Sequence, residues 1–193
     1  MDKFAKLLTK VANVPEKDMQ YFIFLLEPIS LKKHDFLLQE GQVENYLYFI
    51  QEGLLRSYTI KERNNIPKEF TFNLTFPGWF FSSYESFISR EPCSYNTECL
   101  TDVKLFRISY ENLQRVYRET ESGQRIGRIA AEQLFINKSK REISLLSDTV
   151  DERYLHLLNH YPNTLMDIPL KHIASYIGVT PQALSKIRKR VFK

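Results

Sequence analysis

The strongest constraint on what this chain can fold into is a double change in the period of its apolar residues. Near the N-terminus and beyond Tyr110 they recur at three- and four-residue spacing. Between Ile29 and Ser109 they fall in short blocks rich in aromatic and β-branched residues: FLLQEGQ, NYLYFIQEG, LLRSYTI, RNNIPKEFTFNLTFPGWFF and SYNTECLTDVKLFRIS. Helices repeat every 3.6 residues and strands every 2, so a segment patterned for one does not present a clean face in the other. Strand blocks at this spacing, broken by Gly, Asn and Pro, predict an all-β sandwich or barrel-like unit with helices on either side. Gly41, Gly53 and Gly78 mark positions where a positive φ is cheapest, and Arg63-Asn64-Asn65 is the best candidate for a hairpin tip.

In the leading segment, Phe4, Leu7, Leu8 and Val11 predict one helix. A second, started by Pro15 in its first turn and carrying Met19, Phe22, Ile23 and Leu26, stops near Pro28. After the β region, a single long helix is predicted from about Thr120 to Leu146. Along it Ile126, Ile129, Gln133, Ile136, Lys140 and Ile143 keep a three-four spacing over three heptads. Every d position is Ile and two of the three a positions are polar, a pattern that favours a parallel two-stranded pairing with a second copy of the chain. Ala130 and Leu134 lie on a neighbouring face suited to packing on the chain's own β-domain. A further helix, Asp148 to Tyr161, has Tyr154, Leu155 and Leu158 as its apolar set. Asp151 and Glu152 are favourably placed in its first turn.

Charge then singles out the end of the chain. The last 26 residues, Ile168 to Lys193, hold six Lys and Arg and no Asp or Glu. Since the whole chain is +4, the first 167 residues carry −2, and an anionic partner is expected to touch one end only. Within that tail, PLKHIASYIGVTPQALSKIRKR reads as two short helices joined at Gly178. Ile173 and Ile177 face inward on the first, with Ala174 small enough for the crossing. Thr180 can cap the second helix, with Pro181 as its first residue. Leu184, Ile187 and Val191 form its buried stripe. This is the pattern of a DNA-binding helix-turn-helix. The exposed set is Thr180, Pro181, Gln182, Ser185, Lys186, Lys189 and Arg190. Gln182 and Lys186 suit base edges, and Thr180, Lys189 and Arg190 suit phosphates.

Other functions find little support. Cys93 and Cys99 are the two cysteines, with no CxxC spacing, so neither a disulfide scaffold nor a cysteine-ligated metal site is expected. Of the four histidines, only His156 and His160 are spaced to share a metal on one helix face, and a solvated pair is the simpler reading. No metal and no cofactor are predicted. No nucleophile–base arrangement or Gly-rich phosphate loop is present, so catalysis is not expected. No apolar run reaches membrane-spanning length and the N-terminus lacks a signal-peptide pattern, which predicts a cytoplasmic protein without a membrane partner.

Taken in order, these elements resemble the Crp/Fnr family of bacterial transcription regulators. Local matches are LLQEGQ, YFIQEGLLRSY, the FPGWFF turn, DERYLHLLNHYP and IASYIGVTPQALSKIRKR. The resemblance implies an α+β chain in three parts. These are a jelly-roll β-domain of cyclic-nucleotide-binding type over residues 1–119, a dimerisation helix over 120–147 and a helix-turn-helix domain over 148–193. It implies a homodimer on a pseudo-palindromic operator in double-stranded DNA, RNA polymerase as a further partner, and an unknown small-molecule effector in the β-roll. Base-facing positions of the family fall on Pro181, Gln182 and Lys186.

The chain departs from the family in its nucleotide cassette. Cyclic-nucleotide-binding members carry a Gly-Glu pair after the FPG-type turn and an Arg-Ser pair further on, where this chain has Ser82-Ser83 and Cys93-Ser94. An effector pocket is therefore expected around Ser82, Ser83, Arg90, Cys93 and Ser94, but not one made for cAMP, because burying a phosphate without a cation is costly. Arg90 is the nearby cation that could replace the missing one. The family's β-hairpin wing after the reading helix is also not expected. The alternative function is a ligand-binding regulatory module of the same domain type without a DNA role.

Overall fold

The computed structural model describes Phe4, Leu8, Thr9, residues 13–162 and residues 164–191. The period-2 region becomes eight strands: β1 (Glu27–Leu31), β2 (Phe36–Leu38), β3 (Tyr46–Glu52), β4 (Leu55–Arg63), β5 (Ile66–Thr75), β6 (Phe80–Phe81), β7 (Asn96–Cys99) and β8 (Val103–Ser109). All pair antiparallel, in two four-stranded sheets ordered β1-β8-β3-β6 and β2-β7-β4-β5. The chain crosses repeatedly from one sheet to the other, which closes a roll.

Local chemistry explains the turns. Asn64 and Asn65 have φ of 54° and 60° between the paired residues Arg63 and Ile66, a two-residue turn whose positive-φ backbone suits the right-handed twist of the flanking strands. Gly53 has φ of 89°, and a Cβ there would sit 2.3 Å from the Asp102 carbonyl oxygen, so no other residue fits. Helix α1 (Glu16–Phe24) ends before Pro28, which instead sits in β1 at a sheet edge, where its missing N–H costs no ladder bond. Phe4 and Leu8 are helical and buried; Leu7 and Val11 lie outside the described residues.

A short helix, α2 (Tyr84–Ser89), bridges β6 and β7. The helices after the roll are α3 (Tyr110–Glu119), α4 (Gly123–Ser147), α5 (Val150–His160), α6 (Leu170–Ile177) and α7 (Pro181–Val191), with a 3-10 turn at Thr164–Asp167. Asp18 of α1 is buried and accepts both the backbone N–H (2.8 Å) and the hydroxyl (2.6 Å) of Ser122, satisfying the start of α4. Thr149 and Glu152 form a reciprocal capping box on α5. On α5 the inward pair is Tyr154 and Leu157, whereas Leu155, expected in the apolar set, is exposed.

Three apolar clusters follow from the two-faced sheets. Tyr48, Ile50, Leu55, Phe81, Cys99, Val103 and Leu105 fill the space between them. Phe49 and Ile108, on the outer face of the first sheet, pack with Phe4, Phe22, Leu113 and Val116. The third cluster joins Leu54, Leu74, Phe76 and Leu100, beside or within the second sheet, to Tyr154, Leu157, Ile173, Ile177, Leu184 and Ile187 of the C-terminal helices. The C-terminal helices are thus docked on the roll through a shared core, not merely tethered to it.

Candidate nucleic-acid interface

The C-terminal helix pair has the local features its sequence demands. Ala174 is fully buried, and Ile173, Ile177, Leu184 and Ile187 surround it. A larger side chain at 174 would hold the two helices apart. Gly178 caps α6 in the left-handed conformation with φ of 83°, and its N–H and that of Val179 bond back to Ser175 and Ala174 carbonyls. The hydroxyl of Thr180 accepts the Ala183 N–H at 3.2 Å, capping α7 directly before Pro181.

Of the expected DNA-contacting set, Thr180, Pro181, Gln182, Lys186 and Lys189 are exposed. Gln182, Lys186 and Lys189 are spaced three and four apart, so they share one face of α7. Ser185 is half-buried and its hydroxyl donates to the Pro181 carbonyl, which leaves it less free to reach a base. Arg190 is exposed but ion-paired with Asp151 of α5, so it ties α7 to α5 before it can serve a phosphate.

The long helix α4 divides its expected seam. Gln133, Ile136, Lys140 and Ile143 face solvent. Ile126 does not: it is 8% exposed and belongs to the core around Phe22 and Val116, with Ile129 packed partly against the same cluster. The expectation that Ile126 pairs with a second chain is therefore corrected. The first turn of α4 lies against the chain's own roll, which leaves little of Ile126 to offer elsewhere. Phe135 and Leu146, flanking the seam, are also largely exposed.

The expected effector pocket is not assembled as predicted. Ser83, Cys93 and Ser94 line a cavity of only about 60 Å³, together with Ser86, Glu91 and Tyr95. Ser82 is turned away, donating to the Tyr46 carbonyl at 3.0 Å. Arg90 is also turned away: its guanidinium lies 4.7 Å over the Tyr110 ring and donates to the Glu44 carbonyl at 2.7 Å. Among the described residues, the lining of this cavity therefore holds no cation. A carboxylate sits beside it instead: buried Glu44 accepts the Ser83 N–H at 3.4 Å and the Tyr46 N–H at 3.0 Å, and burial pushes its pKa up. Cys93 is engaged with the Gln39 and Tyr95 carbonyls, and burial drives the Cys99 thiol up to about 12, so it stays protonated. The rings of His156 and His160 stack at 4.1 Å, and among the described residues no group of three or more His, Cys, Asp or Glu could hold a metal ion.

Sequence reasoning missed the joint between the roll and the helix pair. Arg56 of β4 is 1% exposed, although it points out of the roll on the face that carries Leu74. Its Nη2 donates to Glu69 of β5 at 2.5 Å, and its Nε lies 3.0 Å from Glu98 of β7, close enough to pair although its N–H is not aimed at that oxygen. The guanidinium stacks 3.8 Å over Tyr58, and Nη1 donates to the imidazole of His172 on α6. An arginine cannot accept a proton in such a contact, so the facing ring nitrogen is unprotonated. Burial, then the positive charges of Arg56 and Lys171, lower the His172 pKa to about 4, against a partial counter-effect from Glu69. Next to this contact, the Thr71 N–H of edge strand β5 donates to Ser175 Oγ at 2.9 Å, and Phe76 stacks on Tyr161 at 3.6 Å. The one sequence signal was an arginine inside the otherwise uncharged run LLRSYTI.

Comparison with known proteins agrees with this architecture. Residues 28–120 match the family described as the cyclic nucleotide-binding domain. No curated protein matches the chain by sequence. Among solved structures, the chain resembles the c-di-GMP responsive global regulator CLP of Xanthomonas campestris, at 16% identity and a TM-score of 0.66 over 92% of this chain and 91% of that one. It resembles FixK2 of Bradyrhizobium japonicum at 17% identity and a TM-score of 0.69, covering 86% and 84%. A chain from Eubacterium rectale assigned to the crp/fnr family aligns at 15% identity and a TM-score of 0.68, covering 92% and 83%. At these identities the likeness concerns the fold: a cyclic-nucleotide-binding-type roll followed by C-terminal helices in the arrangement of such regulators.

Proposed function

We propose that this chain is a sequence-specific transcription regulator of Crp/Fnr type that binds a pseudo-palindromic DNA site as a homodimer and does not depend on cAMP. The observation that carries the reading is α7 itself. It is capped by Thr180, set by the Ala174 crossing and by Gly178, and it presents Gln182, Lys186 and Lys189 to solvent on a helix that itself carries no Asp or Glu. Such a helix matches the width of the major groove, with amide and ammonium groups spaced for base edges and phosphates. The exposed stretch of the α4 seam, Gln133 to Ile143, supports pairing with a second copy, which would place two reading helices on successive turns of the duplex. Independence from cAMP is supported by Arg90 pointing away from the cassette and by the buried carboxylate of Glu44 beside it. The domain type and the regulator-like neighbours favour a regulatory protein over an enzyme.

The test is selection of duplexes from a random-sequence pool by the full chain. A two-fold symmetric motif is expected, with half-sites about one helical turn apart. Affinity should fall steeply with salt, and Lys186→Ala/Lys189→Ala should weaken it and flatten the salt slope by roughly one unit for each phosphate left without its cation. Adding cAMP should change nothing. Failure to enrich any motif, or full binding by the double variant, would refute the assignment of α7.

A further inference from the structure

Two kinds of contact hold the reading helices to the roll, and they constrain different things. The shared apolar cluster and the Phe76–Tyr161 stack oppose separation, but apolar faces and parallel rings slide at small cost. Directional bonds do not slide. Arg56 supplies several from one planar group: to Glu69, to His172, and towards Glu98. Its guanidinium is clamped over Tyr58, so its orientation is set by the sheet and passed to α6. His172 is two residues from Ala174, the point at which α7 crosses α6. A change of angle at His172 is thus carried directly to the exposed face of α7.

We propose that Arg56 is a positioning residue for DNA reading: through His172 it fixes the angle at which the roll holds α6, and therefore the angle at which α7 is presented. The inference rests on the reading of α7 as the DNA-contacting helix. Burial of an arginine is otherwise hard to justify, since replacing a buried ion pair by apolar groups is often neutral or stabilising. What the charge adds here is a unique geometry. The strand carrying it is also suited to relay a signal: alternation along β4 puts Leu55 on the roll interior and Arg56 on the outer face. An event that displaces β4 from inside moves Arg56 against His172. The groups around that imidazole are Arg56 from β4, Glu69 from β5, Lys171 from its own helix and, through Arg56, Glu98 from β7. Protonating His172 would set two cations against each other, so the latch holds only with the ring neutral.

The chain has a single tryptophan, Trp79, whose backbone N–H donates to the carbonyl of Phe76, the residue stacked on Tyr161 at the end of α5, which gives a readout of docking that needs no DNA. In the full-length protein, Arg56→Met and His172→Gln should each shift Trp79 emission. Each should weaken binding to the selected duplex roughly tenfold, equivalent to about 1.4 kcal/mol. The thermal midpoint should hold or rise when Arg56→Met is combined with Glu98→Gln, so that no half-buried carboxylate is left unpaired, and the Arg56→Met/His172→Gln double variant should bind no worse than either single. Arg56→Lys, which keeps the charge but loses the fork, should recover only part of the affinity. Unchanged Trp79 emission in both single variants overturns the proposal. So do additive losses that track a falling midpoint, because those describe ordinary structural damage. Should Arg56→Met fail to fold, His172→Gln decides alone by the same readouts. If the wild-type chain selects no duplex, the DNA reading fails, whereas Trp79 emission and its non-additivity still decide whether Arg56 sets the docking angle.

Discussion

If α4 pairs two copies of the chain as proposed, replacing Ile136 and Ile143 together by Gln should dissociate that dimer without unfolding its protomers. The two side chains are 43% and 61% exposed in the single chain, so together they offer about one full isoleucine for burial by a partner. Full burial of such a side chain is worth about 2 kcal/mol, so a two-fold interface loses ~4 kcal/mol. That raises the dimer dissociation constant roughly a thousandfold. Gln keeps helix propensity, and substitutions at exposed sites usually change stability by no more than about 0.5 kcal/mol, so the monomer melt should not move. Sedimentation equilibrium over a range of concentrations measures the shift directly. Dimerisation unaffected by the pair would refute the seam. A dimer that survives this change but is broken by Phe135→Gln would refute its position, because Phe135 lies on the flank and not on the Gln133-Ile136-Lys140-Ile143 line.

Acid should loosen the protein through His172. Its folded pKa of about 4 lies below the unfolded value of ~6.5, so on acidification the unfolded chain takes up the proton first. The contribution is intact above pH ~6.5 and is lost progressively down to pH ~4, with about 3 kcal/mol at stake. Urea midpoints measured from pH 7 to 4.5 should fall more steeply for the wild type than for His172→Gln; superimposable slopes would remove His172 as the cause. At the helix crossing, Gly178→Ala should cost about 1 kcal/mol through its positive φ alone, since the nearest atom to a new Cβ is 3.9 Å away. Ala174→Leu should cost more, about 1–3 kcal/mol, because no space exists there. Thermal denaturation that reverses this order would contradict the packing of α6 on α7.

Much of the fold was legible because local patterns and tertiary demands agree. The change of period at both ends of the β region marked where strands begin and end, and Asn64-Asn65 announced a turn that only residues tolerant of positive φ accept readily. In α6 and α7, Ala174, Gly178 and Thr180 each answer a short-range requirement, so their positions could be read without knowing what surrounds them. Arg90 and Ile126 show where such reading stops. Proximity in sequence placed Arg90 at the cassette, yet its left-handed backbone at the end of α2 sends the side chain to Tyr110 and Glu44. Heptad spacing placed Ile126 in a seam, yet spacing alone does not say which body a helix face will meet.

That division has a physical origin. Periodicity, caps and turn residues act over one to four residues, so the sequence by itself determined the strands, the long helix, the two short C-terminal helices and the lack of Asp and Glu in α7. What only the tertiary structure decided is how these parts face one another. Arg56 and His172 are 116 residues apart, and nothing local to either predicts that they meet. Their contact depends on which face of β4 turns outward, on the edge position of β5 and on the docking of α6 across both, and each is set by packing summed over the whole chain.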